Sequence, residues 1–573
     1  MTANNEVRGP KAPKDPTKKR SAVYIMVDSA LEGRPTGDGK YMDVCYLEGR
    51  ISAKLTSVCP ELDKELAGKF QFCQSFREMV HSIGVTFVSQ KEEDRELTAD
   101  FSMNCKTSTG NPGTSYRTQI SCNGKEVQIL LDDYEKNDED TVFTSFMTFF
   151  PKYMTGKMSI CFYMNDGYKV PEVTFDPPVD FESDAYKEMI GKSLMHMGNV
   201  YRLKKAIEKA RRGEDVTIAY IGGSITQGAA AKPISTDCYA YKSYEAFKKM
   251  YGKGNGDNVH YIKAGVGGTS SELGITRYNM DVLRYGEVEP DIVVIEFAVN
   301  DAGDETRGVC FESLSLMAYE GPGNPAVILL FSVFMDDFNL QDNLSRVGYH
   351  YDFPMVSVKD ALVPQFYEAT PIITKRQYFY DLFHPTNEGH RIMAESIVNL
   401  FIKADEADMP DSDIVTDKES VIGNTYRKLK AFTRLDADKY KEVNWIKEGS
   451  FTEKDTELQC VEKDVDSLVS PEFPENWKHV GANGGNESFK MSINCKDLLI
   501  VFKDSGDSKF GKANVYVDGN KVRELNPFEA GWNHCTALII IKEDEVKEHL
   551  VEVKTDPEDG SKDFTILGFG YTI

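Results

Sequence analysis

A chain of 573 residues is too long for one hydrophobic core; about 150 residues per domain implies three or four. With 41% hydrophobic and 28% charged residues, the composition is that of an ordinary globular protein in water. Sixty-seven basic against 91 acidic residues give a formal charge of −24. That balance disfavours nucleic acid and anionic membrane as partners, and it suits a neutral small molecule or a glycan.

Residues 1–20 are polar, basic and proline-bearing, and they are expected to be disordered. They contain no apolar stretch of the kind a signal peptide needs. Residues 21–180 alternate short β-type runs with turn signals, among them Ala22–Val27, Val85–Val88, Val127–Leu131 and Ile160–Met164. Asn123-Gly124 predicts a hairpin just before the third run, and one helix is expected near Glu78. This is read as a β-rich accessory domain closed by a linker, Phe175 to Asp180.

The pattern changes over residues 186–405. An amphipathic stretch, Val200 to Arg212, precedes an apolar strand, Val216 to Tyr220. Further apolar strands follow at Val259–Ala264, Asp291–Ala298, Ala326–Val333 and Met355–Val358, separated by helical segments such as Tyr241–Met250. Near-continuous apolar strands alternating with helices predict an α/β domain: a parallel sheet covered by helices on both faces. The longest apolar run, Ala326 to Met335, is about half the length of a membrane span.

Over residues 433–573 the period returns to β, at Leu498–Phe502, Ala513–Val517, Leu538–Ile541, Leu550–Val553 and Phe564–Leu567. Asp518-Gly519 predicts a tight hairpin. A β-sandwich of about 130 residues is expected, and all three tryptophans of the chain lie in it. Eleven dispersed cysteines, without CxxC pairs or His/Cys clusters, predict free thiols in a cytoplasmic protein with neither metal nor organic cofactor.

The chemistry concentrates at strand ends in the middle region. Ser224 follows the first strand on a glycine-softened turn, Gly222-Gly223-Ser224-Ile225-Thr226; alone it would read as a helix N-cap. Asn300-Asp301 ends a second strand, and Asp381-Leu382-Phe383-His384-Pro385 places a carboxylate three residues before an imidazole. Ligands and catalytic groups gather at the carboxyl ends of such strands. The set provides a serine nucleophile, a base, a residue to orient the base and an oxyanion donor. Gly223 and Gly228 have phosphate-loop spacing, but Ala229-Ala230 replace the required Lys and Ser/Thr. The segment from Gly222 also lacks the second glycine of the α/β-hydrolase nucleophile elbow, and Gly265-Val266-Gly267-Gly268 lacks the later glycine of a dinucleotide fingerprint.

From about Asn199 to Ile402 the chain resembles the SGNH/GDSL hydrolases. Gly222–Thr226 is similar to their first block, Ala264–Thr269 to the second, Ala298–Asp301 to the third and Asp381–Pro385 to the last. The wider text, residues 190–573, resembles carbohydrate esterase family seventeen, mannan-type acetylesterases with an SGNH domain and a carbohydrate-binding-like sandwich. The resemblance implies a flavodoxin-like central sheet and a serine esterase that removes acetyl groups from oligosaccharides. Ser224, Asp381 and His384 would be its triad, and Ser224, Gly268 and Asn300 its oxyanion hole. The usual Asp before the serine is Gly223 here, which is expected to loosen the loop without removing the nucleophile.

His390 and Asp301 are read as structural, and Trp445 and Trp477 as sandwich core. Trp532, in the polar-flanked loop Phe528–His534, is read as a substrate-binding residue whose neighbours Asn533 and His534 hydrogen-bond sugar. Two rival readings remain open on the sequence: an SGNH esterase or thioesterase acting on a lipid or small acyl ester, and a non-catalytic glycan-binding protein. The sugar, the acetylated hydroxyl and homo-oligomer formation are not legible.

Overall fold

A computed structural model of the chain describes residues 19–36, 39–47, 50–172, 175–464, 469–559 and 561–573. The expected disorder of residues 1–20 therefore lies, except for its last two positions, outside the described residues. The chain is a mixed α/β protein whose sheets segregate along the sequence.

Residues 22–164 form two antiparallel sheets. One has the order Ala22–Glu32, Thr155–Met164, Val80–Ser89, Val127–Leu130; the other runs Arg34–Pro35, Tyr41–Tyr46, Asp140–Phe150, Thr98–Thr107, Pro112–Ser121. Inward residues such as Val23, Ile25, Phe101, Met103 and Ile160 share one core. The turn at Asn123-Gly124 is not a hairpin between sheet neighbours. Pro112–Ser121 lies in one sheet and Val127–Leu130 in the other, so the turn carries the chain across, with Gly124 donating its N–H to Phe87. Three helices stand where one was expected: Arg50–Val58, Lys64–Lys69 and Cys73–Met79. The first buries Ile51 and Leu55, four residues apart, and the Asp63 carboxylate caps the second through Leu66 N at 2.9 Å. Helices this short carry too little periodicity to stand out in the sequence.

The middle sheet has six strands, in the order Leu194–His196, Met355–Ser357, Ala326–Phe331, Ile292–Glu296, Val216–Gly222, Val259–Gly265. Five are parallel, and the edge strand Leu194–His196 runs antiparallel to its neighbour. Alternation along Val216–Gly222 feeds two cores. Ile218 and Tyr220 pack with Leu203, Phe247 and Ile397 from helices on one face. Ala219 and Ile221 pack with Ile275, Leu314 and Val347 from helices on the other. Strand order reverses beside Val216–Gly222, the strand that leads into the Ser224 turn; a crevice opens at such a switch point because neighbouring connections leave in opposite directions.

The last sheet, residues 430–572, has eight strands joined through two long ones, Phe489–Asp504 and His534–Thr555. The runs Leu538–Ile541 and Leu550–Val553 are thus parts of one strand, not two. Both halves of Phe489–Asp504 send residues such as Met491 and Ile500 into the core that holds Trp477. Asp518-Gly519 is a two-residue turn between paired Val517 and Asn520, with φ of 51° and 83°, as the first of the primed turns requires. Trp445 departs from expectation. It is 39% exposed on Val443–Lys447, a strand paired on one side only, so its ring faces solvent instead of the core. All eleven cysteines are free thiols. Among the described residues no helix is long and apolar enough to cross a membrane.

Candidate active site

Two chain segments bring Ser224, His384 and Asp381 together. Ser224 is half-buried at the first position of the helix Ser224–Gln227, directly after Val216–Gly222. His384 Nε2 lies 2.9 Å from Ser224 Oγ, and His384 Nδ1 lies 3.0 Å from Asp381 Oδ2. With Nδ1–H donating to Asp381, Nε2 is the acceptor that faces the serine hydroxyl. The other Asp381 oxygen accepts from the Phe383 and His384 amides, both at 2.8 Å. Burial alone would raise the Asp381 pKa. The charge and hydrogen bond of His384, the Lys54 cation and the Phe383 amide outweigh it, and hold the carboxyl at about 2.

The loop that carries this pair is braced on both sides. Tyr380 N donates to His384 O at 2.8 Å and Thr386 N to Tyr378 O at 2.7 Å. The Thr386 hydroxyl then caps the helix Asn387–Glu406. From the N-terminal region, buried Lys54 donates to the Tyr380 carbonyl and sits 3.4 Å from the centre of its ring, while Tyr380 Oη donates to Cys45 Sγ at 2.7 Å.

The serine turn is fixed from beneath by buried polar groups. Arg277, fully buried, donates to the carbonyls of Gly222 at 2.8 Å and Ala264 at 2.7 Å. One guanidinium thereby aligns the ends of the two strands that lead to Ser224 and to Gly268. Thr226 Oγ1 donates to the buried Glu296 carboxylate at 3.0 Å.

Gly268 has φ of +74°, a conformation that favours glycine. A Cβ there would lie 3.0 Å from Trp532 Cζ2 and 3.2 Å from His534 Nε2, so the loop of the C-terminal sheet rests directly on it. His534 Nε2–H donates to the Gly268 carbonyl at 3.0 Å, and its Nδ1 lies 3.2 Å from Thr536 Oγ1. Burial lowers the His534 pKa, which keeps the ring neutral. His534 is therefore spent on protein groups and is not free for sugar, contrary to expectation. Trp532 is 46% exposed beside it. The neighbouring Gly267 is held by the Gln227 side chain, whose Oε1 accepts from Gly267 N at 3.0 Å. Gln227 Nε2 in turn donates to Glu462 at 2.7 Å, and Glu462 pairs with Arg34. All three sheet regions thus meet around Ser224.

Asn300 opens the turn Asn300–Gly303, four residues past the strand Ile292–Glu296, and its buried Oδ1 has no hydrogen-bond partner among the described residues. It lies against Gly223: a Cβ at 223 would be 2.2 Å from Oδ1 and 3.0 Å from Nδ2. The space that the usual Asp would need is taken by the Asn300 amide, so Gly223 is a packing requirement here. Gly223→Asp is expected to displace Asn300 and lower kcat about ten- to a hundredfold, part of what an oxyanion donor supplies. An unchanged kcat would mean that the amide has room to give way.

Asp301 and His390 are occupied structurally. Asp301 accepts from Ser271 N at 2.7 Å and from Ser271 Oγ at 2.9 Å, at the start of the helix Ser271–Asp281. His390 is fully buried, lies 3.0 Å through Nε2 from the Ala229 carbonyl, and has its pKa lowered by burial to about 3. Among the described residues no group of three or more His, Cys, Asp or Glu side chains could hold a metal ion. Arg277, Glu296, Gln227 and Lys54 are the supporting residues that sequence reasoning missed; of these only Gln227, one turn after Ser224, carries a local signal.

No protein-family model and no curated protein matches the sequence. Among solved structures the chain is similar to a two-domain esterase (CEX) active on acetylated mannans. The two are 27% identical with a TM-score of 0.56, and the match covers 67% of this chain and 98% of that one. The same esterase co-crystallised with mannopentaose matches at 28% identity and a TM-score of 0.55, over 67% of this chain and 97% of the other. The likeness, in sequence and in fold, is to an esterase active on acetylated mannans.

Proposed function

We propose that this protein is a serine esterase that removes O-acetyl groups from oligosaccharides of the mannan type. The observation that carries the reading is the hydrogen-bonded series Asp381–His384–Ser224 at the switch point of the parallel sheet. Ser224 Oγ attacks the acetyl carbonyl as its proton passes to His384 Nε2, and Asp381 stabilises the imidazolium. The Ser224 and Gly268 amides and the Asn300 side-chain amide stabilise the oxyanion. Collapse expels the sugar alkoxide, which takes the proton from His384; water then hydrolyses the acetyl-enzyme by the same route. Similarity to an esterase active on acetylated mannans supports the choice of substrate.

In this reading the central sheet is the flavodoxin-like SGNH domain, over residues 186–405. Residues 433–573 are a carbohydrate-binding-like sandwich that partly roofs it, and residues 21–180 are a further domain. The two-domain relative accounts for 67% of the chain, which leaves about a third for that addition.

The test is acetate release from acetylated manno-, xylo- and cello-oligosaccharides, read position by position, beside p-nitrophenyl esters of increasing acyl length. Preference for acetylated manno-oligosaccharide is expected. Faster turnover of long acyl chains would move the assignment to a lipid esterase, and no turnover of any ester would leave only a glycan-binding protein.

Trp532 makes a separable prediction. Its exposed ring lies beside Gly268, while His534 holds the Gly268 carbonyl. Trp532→Ala is expected to weaken oligosaccharide deacetylation about tenfold, equivalent to about 1.4 kcal/mol of transition-state binding, while p-nitrophenyl acetate stays within a few-fold. Equal losses on both substrates would assign Trp532 to support of the Gly268 turn instead.

A further inference from the structure

The proposed mechanism dictates where the sugar lies. The leaving alkoxide takes its proton from His384 Nε2, so the alcohol half of the ester sits on the imidazole side of Ser224. A cavity of about 640 Å³ opens there, with His384 and Asp381 in its lining. Its size is within the roughly 300–1,000 Å³ of small-ligand clefts. The wall on the serine side is Gln227 and the methyl groups of Ala229, Ala230 and Ala231. The facing wall belongs to the N-terminal region: Arg34, Met42, Val44 and Tyr46.

The charges around this cavity are matched internally. Arg34 pairs with Glu462, and Lys232 with Asp43 at 3.0 Å. Burial would raise the Glu462 pKa, but Arg34 and Gln227 outweigh it and keep the carboxylate ionised. Among the described residues the matched charges leave no surplus to recognise an anion or a cation, so a neutral ligand fits. Methyl groups and paired polar side chains surround an aromatic ring, Tyr46, which is 68% exposed. That combination suits the apolar face and hydroxyl rim of a pyranose. The wall is also fixed: Cys45, adjacent to Tyr46, accepts from Tyr380, and Lys54 holds the Tyr380 carbonyl next to Asp381.

We infer that the cavity between the strand Tyr41–Tyr46 and the segment after Ser224 is a sugar subsite, with Tyr46 stacking on a neutral pyranose of the substrate. This rests on the proposed function, and it makes the N-terminal region a determinant of specificity. The test is calorimetric binding of mannopentaose, cellopentaose and xylopentaose to the full-length Ser224→Ala protein. Adding Tyr46→Ala is expected to weaken the best-bound sugar about tenfold, while Tyr46→Phe keeps the ring and stays within about threefold. Val44→Phe, which narrows the cavity, is expected to weaken binding likewise. Tyr46→Ala should leave the thermal midpoint unchanged, which separates sugar contact from damage to the fold. Unaltered affinity in both Tyr46→Ala and Val44→Phe overturns the subsite and leaves the esterase reading intact. If the Ser224→Ala protein binds none of the three sugars, the glycan reading falls and the subsite with it.

Discussion

Ser224→Ala is expected to reduce ester hydrolysis by about 10⁴-fold or more, on p-nitrophenyl acetate and on acetylated oligosaccharide alike. Its hydroxyl is the group positioned 2.9 Å from His384 Nε2. The remaining ring nitrogen already serves Asp381, so without Oγ the base has no proton to take from the protein. The loss to the fold should be small. Ser224 is half-buried, and removal of its hydroxyl leaves His384 one neutral hydrogen bond poorer, a cost of about 1 kcal/mol. Acetate release and thermal unfolding measured on one preparation check both halves. Turnover above about 1% of wild type with an unchanged thermal midpoint would remove Ser224 from the role of nucleophile.

Ser224, Gly268 and Asn300, all legible in the sequence, share a physical property: each follows a strand closely. Val216–Gly222 and Ile292–Glu296 are continuous apolar runs because both faces of their sheet are covered, and such runs show their ends clearly. That is why Ser224 and Asn300 could be named, and why the five parallel strands of the middle region were legible one by one. Of the three short helices up to Met79 only Cys73–Met79, which holds Glu78, was legible, because six to nine residues make only about two turns.

What escaped was long-range. Glu462 meets Arg34 across 428 positions, and Lys54 meets Tyr380 across 326. Neither contact leaves a periodic or motif-like trace. His534 was read as a sugar partner because its loop is polar, whereas its ring donates to the Gly268 carbonyl from 266 positions away. Trp445 was read as core because tryptophan usually is. A short strand with one pairing partner has a free side, and its sequence does not say which face the ring takes. Gly223 is the instructive departure. Its lack of a side chain reads as flexibility in one dimension, and as room for Asn300 in three.

Asn300→Ala is expected to lower kcat by about 10²–10³ with little change in KM, the signature of a donor used mainly in the transition state. Its side chain packs against Gly223, the residue that precedes Ser224, and its Oδ1 is buried without a partner among the described residues. A buried, unmet acceptor costs stability, of order 1–3 kcal/mol, so truncation should not lower the thermal midpoint appreciably. The link to Gly223 supplies a second reading of the same role. If a side chain at 223 acts by moving the Asn300 amide, adding Gly223→Asp to Asn300→Ala should cost little beyond the single change, because neighbours that share one function are not additive. Kinetics of the two single variants and the double variant on p-nitrophenyl acetate measure this directly. A rise in KM alone for Asn300→Ala would reassign the amide to ground-state binding. Full additivity in the double variant would show that Gly223 serves the Ser224 turn itself and not the position of Asn300.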